Sequence, residues 1–421
     1  MSGSQKKPLS ERGVAKMHAD VVVIGGGSAG IAAAVSSARK GATVVLVEKH
    51  GILGGMASAA MVHSICGLYL LRDNDSEPLS FANDGIAREF SETLVRKGGA
   101  RGPVRMGRLD VLMHNPRSFA LVAKEMVDEL SNIHLFLNAH ISGVHKNGNR
   151  FCGLRITGTE NHKTIECDAV IDTTGDAEIF MLANAGYERS PLEALQRPAY
   201  IFSLNGVDPE QMSENGRLLL AQTISRGVTS GLLTSGAMGT AFRAGVSNDQ
   251  VMVTIDLEAQ CFDPNKNESR ANTESEGRRI AVQLIDFLKN EIEGFQGASL
   301  PQYPSCLGIR ESRRSHGIYQ LTEKDILEGA RFDDEVAIAS WPIELRESAR
   351  GPRFRYPIDN QPCGIPLRSL QSKEVENLFV AGKCISSTHE AQASIRVIGT
   401  CLATGEAAGI AAAKMAAKTK H

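Results

Sequence analysis

The chain has 421 residues, 42% of them apolar, with 41 glycines and a formal net charge of -2. That length suits two interleaved cores, the composition excludes a fibrous or disordered chain, and the near-neutral charge gives no footing for nucleic acid or an anionic membrane surface. The cysteines at 66, 152, 167, 261, 306, 363, 384 and 401 include no C-x-x-C pair, so reduced thiols and a cytoplasmic setting are expected.

Residues 1–18, "MSGSQKKPLSERGVAKMH", lack the apolar run of a signal peptide and are expected to form a flexible, solvated tail, although their Ser and Lys/Arg bias is also that of an organellar presequence. "DVVVI" at 20–24 reads as a buried parallel strand, Ser28 to Lys40 as a helix ended by Gly41, and "TVVLVE" at 43–48 as a second strand. Further on, "FALVAKEMVDEL" has helical periodicity, "IHLFLNA" reads as a strand, and "ISGVHKN", "FCGLRIT" and "HKTIECDAVIDTTG" read as a three-strand meander returning to the main sheet. Between about 190 and 365, "AYIFSLNGV" and "QVMVTIDLE" alternate as antiparallel strands do, with helices expected at 208–225 and 270–293: a separate α+β lobe. From Val375 the chain returns to the first unit through the strand "NLFVAG" and a long Ala/Gly helix. No uncharged apolar stretch of about 18 residues occurs, so no membrane span is expected.

The chemistry begins at Gly25-Gly26-Gly27-Ser28-Ala29-Gly30, a G-x-G-x-x-G set between strand and helix. Gly25 permits the tight turn, Gly27 lets a pyrophosphate approach the backbone, and Gly30 allows close helix–strand packing, while the helix N-terminus offers free N–H groups to phosphates. Glu48 ends the second strand, where a carboxylate can accept from ribose hydroxyls. Together these mark a dinucleotide site.

Following Glu48 come Lys49 and the Gly54-Gly55-Met56 loop; later come "DAVIDTTGDAE" (168–178) and "NLFVAGKCISS" (377–387), each a strand running into a small-residue turn. This arrangement resembles the FAD domain of glutathione-reductase-type flavoproteins, and the whole chain from 19 to about 415 resembles the family of FAD-dependent oxidoreductases. In that family the N-terminal glycine motif, a middle G-x-R-E-x-R-R and a C-terminal G-x-A-A-G recur in this order; here the last two are Gly308 to Arg314 and Gly405 to Gly409. One departure is Ala177, where such proteins often carry a glycine. The resemblance implies FAD as cofactor and an α/β fold with a discontinuous Rossmann-like FAD domain (19–65, 115–190 and 370–421) and a substrate or cap lobe (66–114 and 191–369). It also implies FAD contacts at Thr174, Gly175, Asp176, Gly382, Thr400 and Cys401, with the helix starting near Thr400 pointing at the flavin ring.

The stretch "MVHSICGLY", 61–69, then falls near the isoalloxazine, and its His63 and Cys66 have three readings. His63 can serve as a general base or substrate ligand, since imidazole titrates near neutrality; either residue can hold flavin covalently; or both simply pack and hydrogen-bond to the cofactor. Arg396 can add positive charge beside reduced flavin, or form an interdomain salt bridge. Arg310, with Arg313 and Arg314, can grip a substrate carboxylate or be consumed by internal ion pairs, with Tyr319, Trp341 and Tyr356 expected as pocket walls. His389, past the third turn, is a further ring-proximal base.

Several chemistries lack their residues. Cys66 has no nearby cysteine for a flavin disulfide reductase, and the third turn reads "AGKCISSTHEA", not the Gly-Asp-Ala-Ala-His of aromatic hydroxylases. The middle of the chain has no second strand–G-x-G-x-x-G–helix unit for NAD(P)H, and His389-Glu390 lacks the second histidine of H-E-x-x-H, so no metal is expected. The expected function is two-electron oxidation of a small polar substrate by hydride transfer to flavin N5, reoxidised by oxygen, a quinone or a protein. A non-redox use of FAD and a reductase driven by external NAD(P)H are the alternatives. Substrate, acceptor and any homo-oligomeric state are open at this point.

Overall fold

The computed structural model describes residues 15–158, 163–258, 262–348 and 351–419. The first strand, β1 (Ala15–Ile24), starts earlier than expected, so residues 15–18 belong to a sheet; the rest of the expected tail lies outside the described residues. Strict alternation along β1 sends Val21 and Val23 to one face and Val22 and Ile24 to the other, both fully covered. α1 (Ser28–Arg39) and β2 (Val44–Val47) complete the opening unit. Next come β3 (Ser64–Ile65), α2 (Ile86–Arg96), β4 (Ala100–Met106), β5 (Leu109–His114), α3 (Pro116–Asp128) and β6 (Ile133–Phe136). α3 starts where it does because the Asn115 side chain accepts from the N–H groups of Arg117 and Ser118, and Pro116 fits the first helical position. The meander β7 (His140–Asn147), β8 (Arg150–Thr157) and β9 (Lys163–Asp172) leads to the short α4 (Glu178–Leu182) and β10 (Tyr187–Arg189).

The inserted region contains β11 (Ala199–Asn205), α5 (Glu214–Thr229), β12 (Thr240–Ala244), β13 (Gln250–Asp256), α6 (Asn267–Glu291) and β14 (Ser299–Gln302). After it run β15 (Arg313–Ser315), α7 (Glu323–Glu328), β16 (Glu335–Ala339), β17 (Ile343–Leu345), β18 (Arg353–Arg355) and β19 (Cys363–Pro366). β20 (Leu378–Val380), α8 (His389–Ile395) and α9 (Ile398–Thr419) end the described chain.

The main sheet runs β6-β2-β1-β9 in parallel. β9 then forks: its C-terminal residues 170–172 pair parallel with β20, while its N-terminal part pairs antiparallel with β8, which pairs with β7. One face carries α1, α2, α3 and α9; the other carries the meander, α4 and the 321–375 segment. The lobe has its own antiparallel sheet, β12-β13-β11-β14, and its own core under α5 and α6.

Two expected boundaries change. Segment 66–114 is expected in the lobe, but Ile86, Ala87, Phe90 and Leu94 of α2 are buried with α1 and α9, so this segment belongs largely to the main unit. Residues 321–365 likewise join the core behind the main sheet, leaving about 199–309 as the part with a core of its own. α8 and α9 meet at a bend of 94°, and no single described helix is long and apolar enough to cross a membrane.

Candidate functional site

The carboxyl ends of β1, β9 and β20 bring three turns together. Gly25 adopts φ 103°, and a Cβ there would lie 2.5 Å from the Thr173 carbonyl oxygen. At Gly30 a Cβ would run into the Gly25 carbonyl, so both glycines are required by packing. Gly27 differs: a Cβ there meets just Gly55 Cα, at 4.0 Å, leaving open space before α1. No side chain caps α1, so its first N–H groups are available to an anion. The Gly54-Gly55 loop lies alongside, with the Gly54 N–H donating to Gly26 O at 2.8 Å, and Met56 continues it into a short helical turn. Glu48 is buried; its carboxylate accepts from the Gly26 N–H at 2.6 Å and the His50 N–H at 2.7 Å, which leaves lone pairs for ribose hydroxyls. Lys49 is half-exposed, its ammonium 4.0 Å from Glu178. An open glycine backbone, an uncapped helix and a buried acid in this order fit a dinucleotide pyrophosphate and ribose.

The second turn is held by Asp172, whose carboxylate accepts from the Thr174 hydroxyl at 2.7 Å and the Ile179 N–H at 2.8 Å. Its pKa is pushed up to about 6 by burial, against those hydrogen bonds. Gly175 and Asp176 follow. Asp176 is buried and receives Arg270 Nη2 at 2.8 Å, Lys383 Nζ at 3.1 Å and the Ser312 hydroxyl at 2.7 Å. Burial alone would raise its pKa, but Lys383 and Arg270 outweigh it and hold the carboxyl well below the usual range. Lys383, just after Gly382, thus ties the third turn to the second. A Cβ on Gly382 would touch Ala29 Cβ at 3.1 Å and Cys401 Sγ at 3.9 Å, so α1, the third turn and α9 converge on one spot.

The middle motif is a polar fastener. Arg310 Nη2 pairs with Asp256 at 2.7 Å, Ser312 reaches Asp176, and Arg314 Nη1 pairs with Glu311 at 2.6 Å. Arg310 is therefore engaged internally; burial lowers its pKa to about 10 despite Asp256. Glu311 also accepts from the Ser190 hydroxyl at 2.7 Å and lies 2.9 Å from His389 Nδ1. The His389 pKa is raised: burial works against the charged ring, and the Glu311 hydrogen bond and charge outweigh it. Its Nε2 is buried with no hydrogen-bond partner and lies 3.6 Å from Glu347. Along α8, Gln392 follows one turn later, donating to Arg310 O at 2.7 Å, and Arg396 a turn beyond, donating to Glu344 O at 3.2 Å.

"MVHSICG" runs against the start of α9. The Gly399 N–H donates to Cys66 O at 2.9 Å, and Gly67 abuts Val397 and Thr400, whose buried hydroxyl has no partner. Cys66 sits among apolar side chains including Trp341, Met113 and Val397, with Ser64 Oγ at 3.6 Å. Burial, with Glu344 adding, pushes its thiol up to about 12, so it is no nucleophile near neutral pH. His63 is buried, its Nδ1 without a partner, and burial, with the Arg243 charge adding, pushes its pKa down to about 4. The ring is neutral at pH 7 and a weak base. Nearby His114 is also buried, stacked 5.0 Å from Phe119.

One expectation needs correction. Tyr319, Trp341 and Tyr356 form no common wall: Tyr319 donates to Asp325 and packs on Phe332, Trp341 donates to Glu344 at 3.0 Å, and Tyr356 stacks under Arg108. The α9 glycines serve helix packing, since a Cβ on Gly405 would meet Ala29 and one on Gly409 would meet Ala33 and Ser36, all in α1. The helix itself begins at Ile398, near Thr400 as expected. Sequence reasoning passed over Asp256, Glu344, Arg346, Gln392 and Lys383. A buried-type acid closing "VMVTID" and a lysine directly after the Gly382 turn were the available signals.

The seven described cysteines are free. Among solved structures, a geranylgeranyl bacteriochlorophyll reductase-like protein from Thermoplasma acidophilum is similar at 13% identity and TM-score 0.46, over 96% of this chain and 80% of that one. The flavin-dependent brominase Bmp2 is similar at 12% identity and TM-score 0.47, over 96% and 80%. The p-nitrophenol 4-monooxygenase PnpA from Pseudomonas putida DLL-E4 is similar at 12% and 0.39, over 72% and 71%. Likenesses this distant say nothing of substrate or reaction. The family model for FAD dependent oxidoreductases matches residues 20–421, and with the cradle described above the chain belongs to that family and takes FAD as its cofactor.

Proposed function

We propose that this protein is a dehydrogenase or oxidase that removes two electrons from a small polar substrate, on a FAD domain of the glutathione-reductase type. The parallel β6-β2-β1-β9-β20 order with its antiparallel meander supports the domain type. When bound, FAD would supply the two-electron acceptor for a substrate hydride. Residues of the three turns hold it: the backbone around Gly25 to Gly30, the Glu48 carboxylate, and the Gly175 and Gly382 turns.

The observation that carries the reading is the Glu311–His389 pair. A buried carboxylate 2.9 Å from Nδ1 fixes the tautomer with its proton on Nδ1 and strengthens Nε2 as a base. Nε2, free of any hydrogen-bond partner, accepts the O–H or N–H proton that leaves with the hydride. Arg314 and Ser190 hold the carboxylate in place. His63, neutral and poorly basic, serves as a hydrogen-bonding group and not as the base. Oxygen, a quinone or a carrier protein completes the cycle, since the sequence has no second glycine-motif unit for NAD(P)H.

The test is anaerobic mixing of the FAD-loaded protein with a panel of small alcohols, amines and hydroxy acids, read by flavin absorbance. Bleaching by a member of the panel, slowed about 10²–10⁴-fold in His389→Gln with FAD content unchanged, is expected. Bleaching by NADH alone identifies a reductase, and no bleaching by any donor identifies a non-redox role.

A further inference from the structure

Where the lobe meets the α8–α9 junction, arginines outnumber carboxylates. Asp256 is taken at both oxygens, by Arg310 at 2.7 Å and Arg346 at 2.7 Å. Glu344 is taken by Arg346 at 2.8 Å and the Trp341 indole at 3.0 Å. Among the described residues, the other arginines here make their side-chain hydrogen bonds to backbone carbonyls. Arg243 donates to the carbonyl of its neighbour Phe242, and Arg396 to the Glu344 carbonyl, with its Nε buried and unpartnered. Arg197, 5% exposed, donates to Leu257 O and leaves Nη1 buried and unpartnered. Among the described residues none of these three has a carboxylate within salt-bridge distance. Arg197 is buried and Arg243 and Arg396 are partly buried; a guanidinium drawn out of water without a counter-ion is costly, and a bound anion would offset that cost.

The unpaired cations flank one stretch of chain. Arg243 on β12 stands opposite Met252, which packs on Met61, two residues before His63. Arg396 precedes α9, whose Gly399 N–H holds the Cys66 carbonyl. Both therefore border 61–67, where the lobe sheet closes on the FAD-binding unit, and the fork of a guanidinium matches a carboxylate.

We propose that the substrate is a small organic acid whose carboxylate is bound by Arg243 and Arg396. This rests on the oxidative reading above and narrows its substrate class. The test titrates the FAD-loaded protein, at constant ionic strength, with oxalate, malonate, succinate and acetate, and with malonamide as the uncharged counterpart, following flavin absorbance and melting temperature. At least one carboxylate is expected to give a saturable change in both, and malonamide none. Arg243→Met and Arg396→Met are each expected to weaken that binding at least tenfold with FAD content retained, and Arg243→Lys to weaken it less. Absence of saturable binding by all four acids, equal binding of malonamide, or unchanged affinity in both methionine variants would overturn the proposal. Should Arg396→Met fail to fold, Arg243→Met and Arg243→Lys decide the matter. The two readings fail separately. Acid binding without bleaching by any donor removes the oxidative function and leaves the anion site; bleaching by a neutral substrate with no acid binding does the reverse.

Discussion

Substituting Gly405 by alanine tests how the cofactor cradle is held together. In an isolated helix the change would stabilise by about 1 kcal/mol, because alanine is the better helix former. Here the new Cβ would lie 2.8 Å from Cα and C of Ala29, with the Ala29 carbonyl oxygen closer still. Carbon atoms sit comfortably at about 3.5–4.0 Å, so α9 must move away from α1 by about 1 Å. Backbone on both sides leaves no flexible side chain to absorb it, and overpacking of this kind costs about 1–3 kcal/mol or more. The clash therefore offsets the propensity gain or outweighs it, for a net loss of about 0–2 kcal/mol. Ala29 lies in the first turn of α1 and touches the position of Gly382, so FAD affinity is expected to fall as well. Urea unfolding and FAD titration measure both effects. Gly405→Ala as stable as the wild type, with unchanged FAD affinity, would refute the assignment of these glycines to helix packing.

Other perturbations read other parts of the site. Glu311→Gln removes the charge that offsets burial at His389, so its pKa, now raised, should drop below 6.5 in an NMR titration. In the wild type the stabilisation from His389 is full below pH 6.5 and lost as pH rises through the folded-state pKa; that loss should vanish in the variant. His63 and His114 act with the opposite sign: held at about 4 and about 3, they bind fewer protons than in the unfolded chain. Stability should thus fall as pH drops from about 6.5 toward 4, by up to about 1.4 kcal/mol per pH unit for each ring, and His63→Gln should remove one share. Glu48→Ala strands the buried N–H of Gly26 and removes the acceptor for ribose, at about 1–3 kcal/mol. FAD dissociation constants should rise at least tenfold; an unchanged value would exclude Glu48 from the cofactor site.

What the sequence made legible is mostly local. A continuous run of valines before Gly25, a helix after Gly27 and an acid closing β2 announce a dinucleotide cradle because each needs just its neighbours. The meander was legible for the same reason, from Gly and Asn turns between alternating strands. Assignment of helices to cores was not. The apolar stripe of α2 is plain in the sequence, yet Phe90 and Leu94 could equally have faced the lobe, and only the fold puts them against α1 and α9. Long-range ion pairs were equally hidden. The motif Gly308 to Arg314 could be read as substrate-gripping, but the Asp256 that neutralises Arg310 lies 54 residues away, at the end of a strand. The excess of arginine became visible once Asp256 and Glu344 had been paired off.

The most direct test of the account is the absorption spectrum of the purified protein after incubation with FAD and desalting, recorded again on the supernatant after acid precipitation. The account predicts flavin bands at one FAD per chain, all released to the supernatant, because Cys66 is held protonated and His63 is a buried, weakly basic ring. Protein that emerges without flavin bands would contradict the cofactor assignment. Flavin that stays in the pellet would contradict the reading of His63 and Cys66 as noncovalent neighbours.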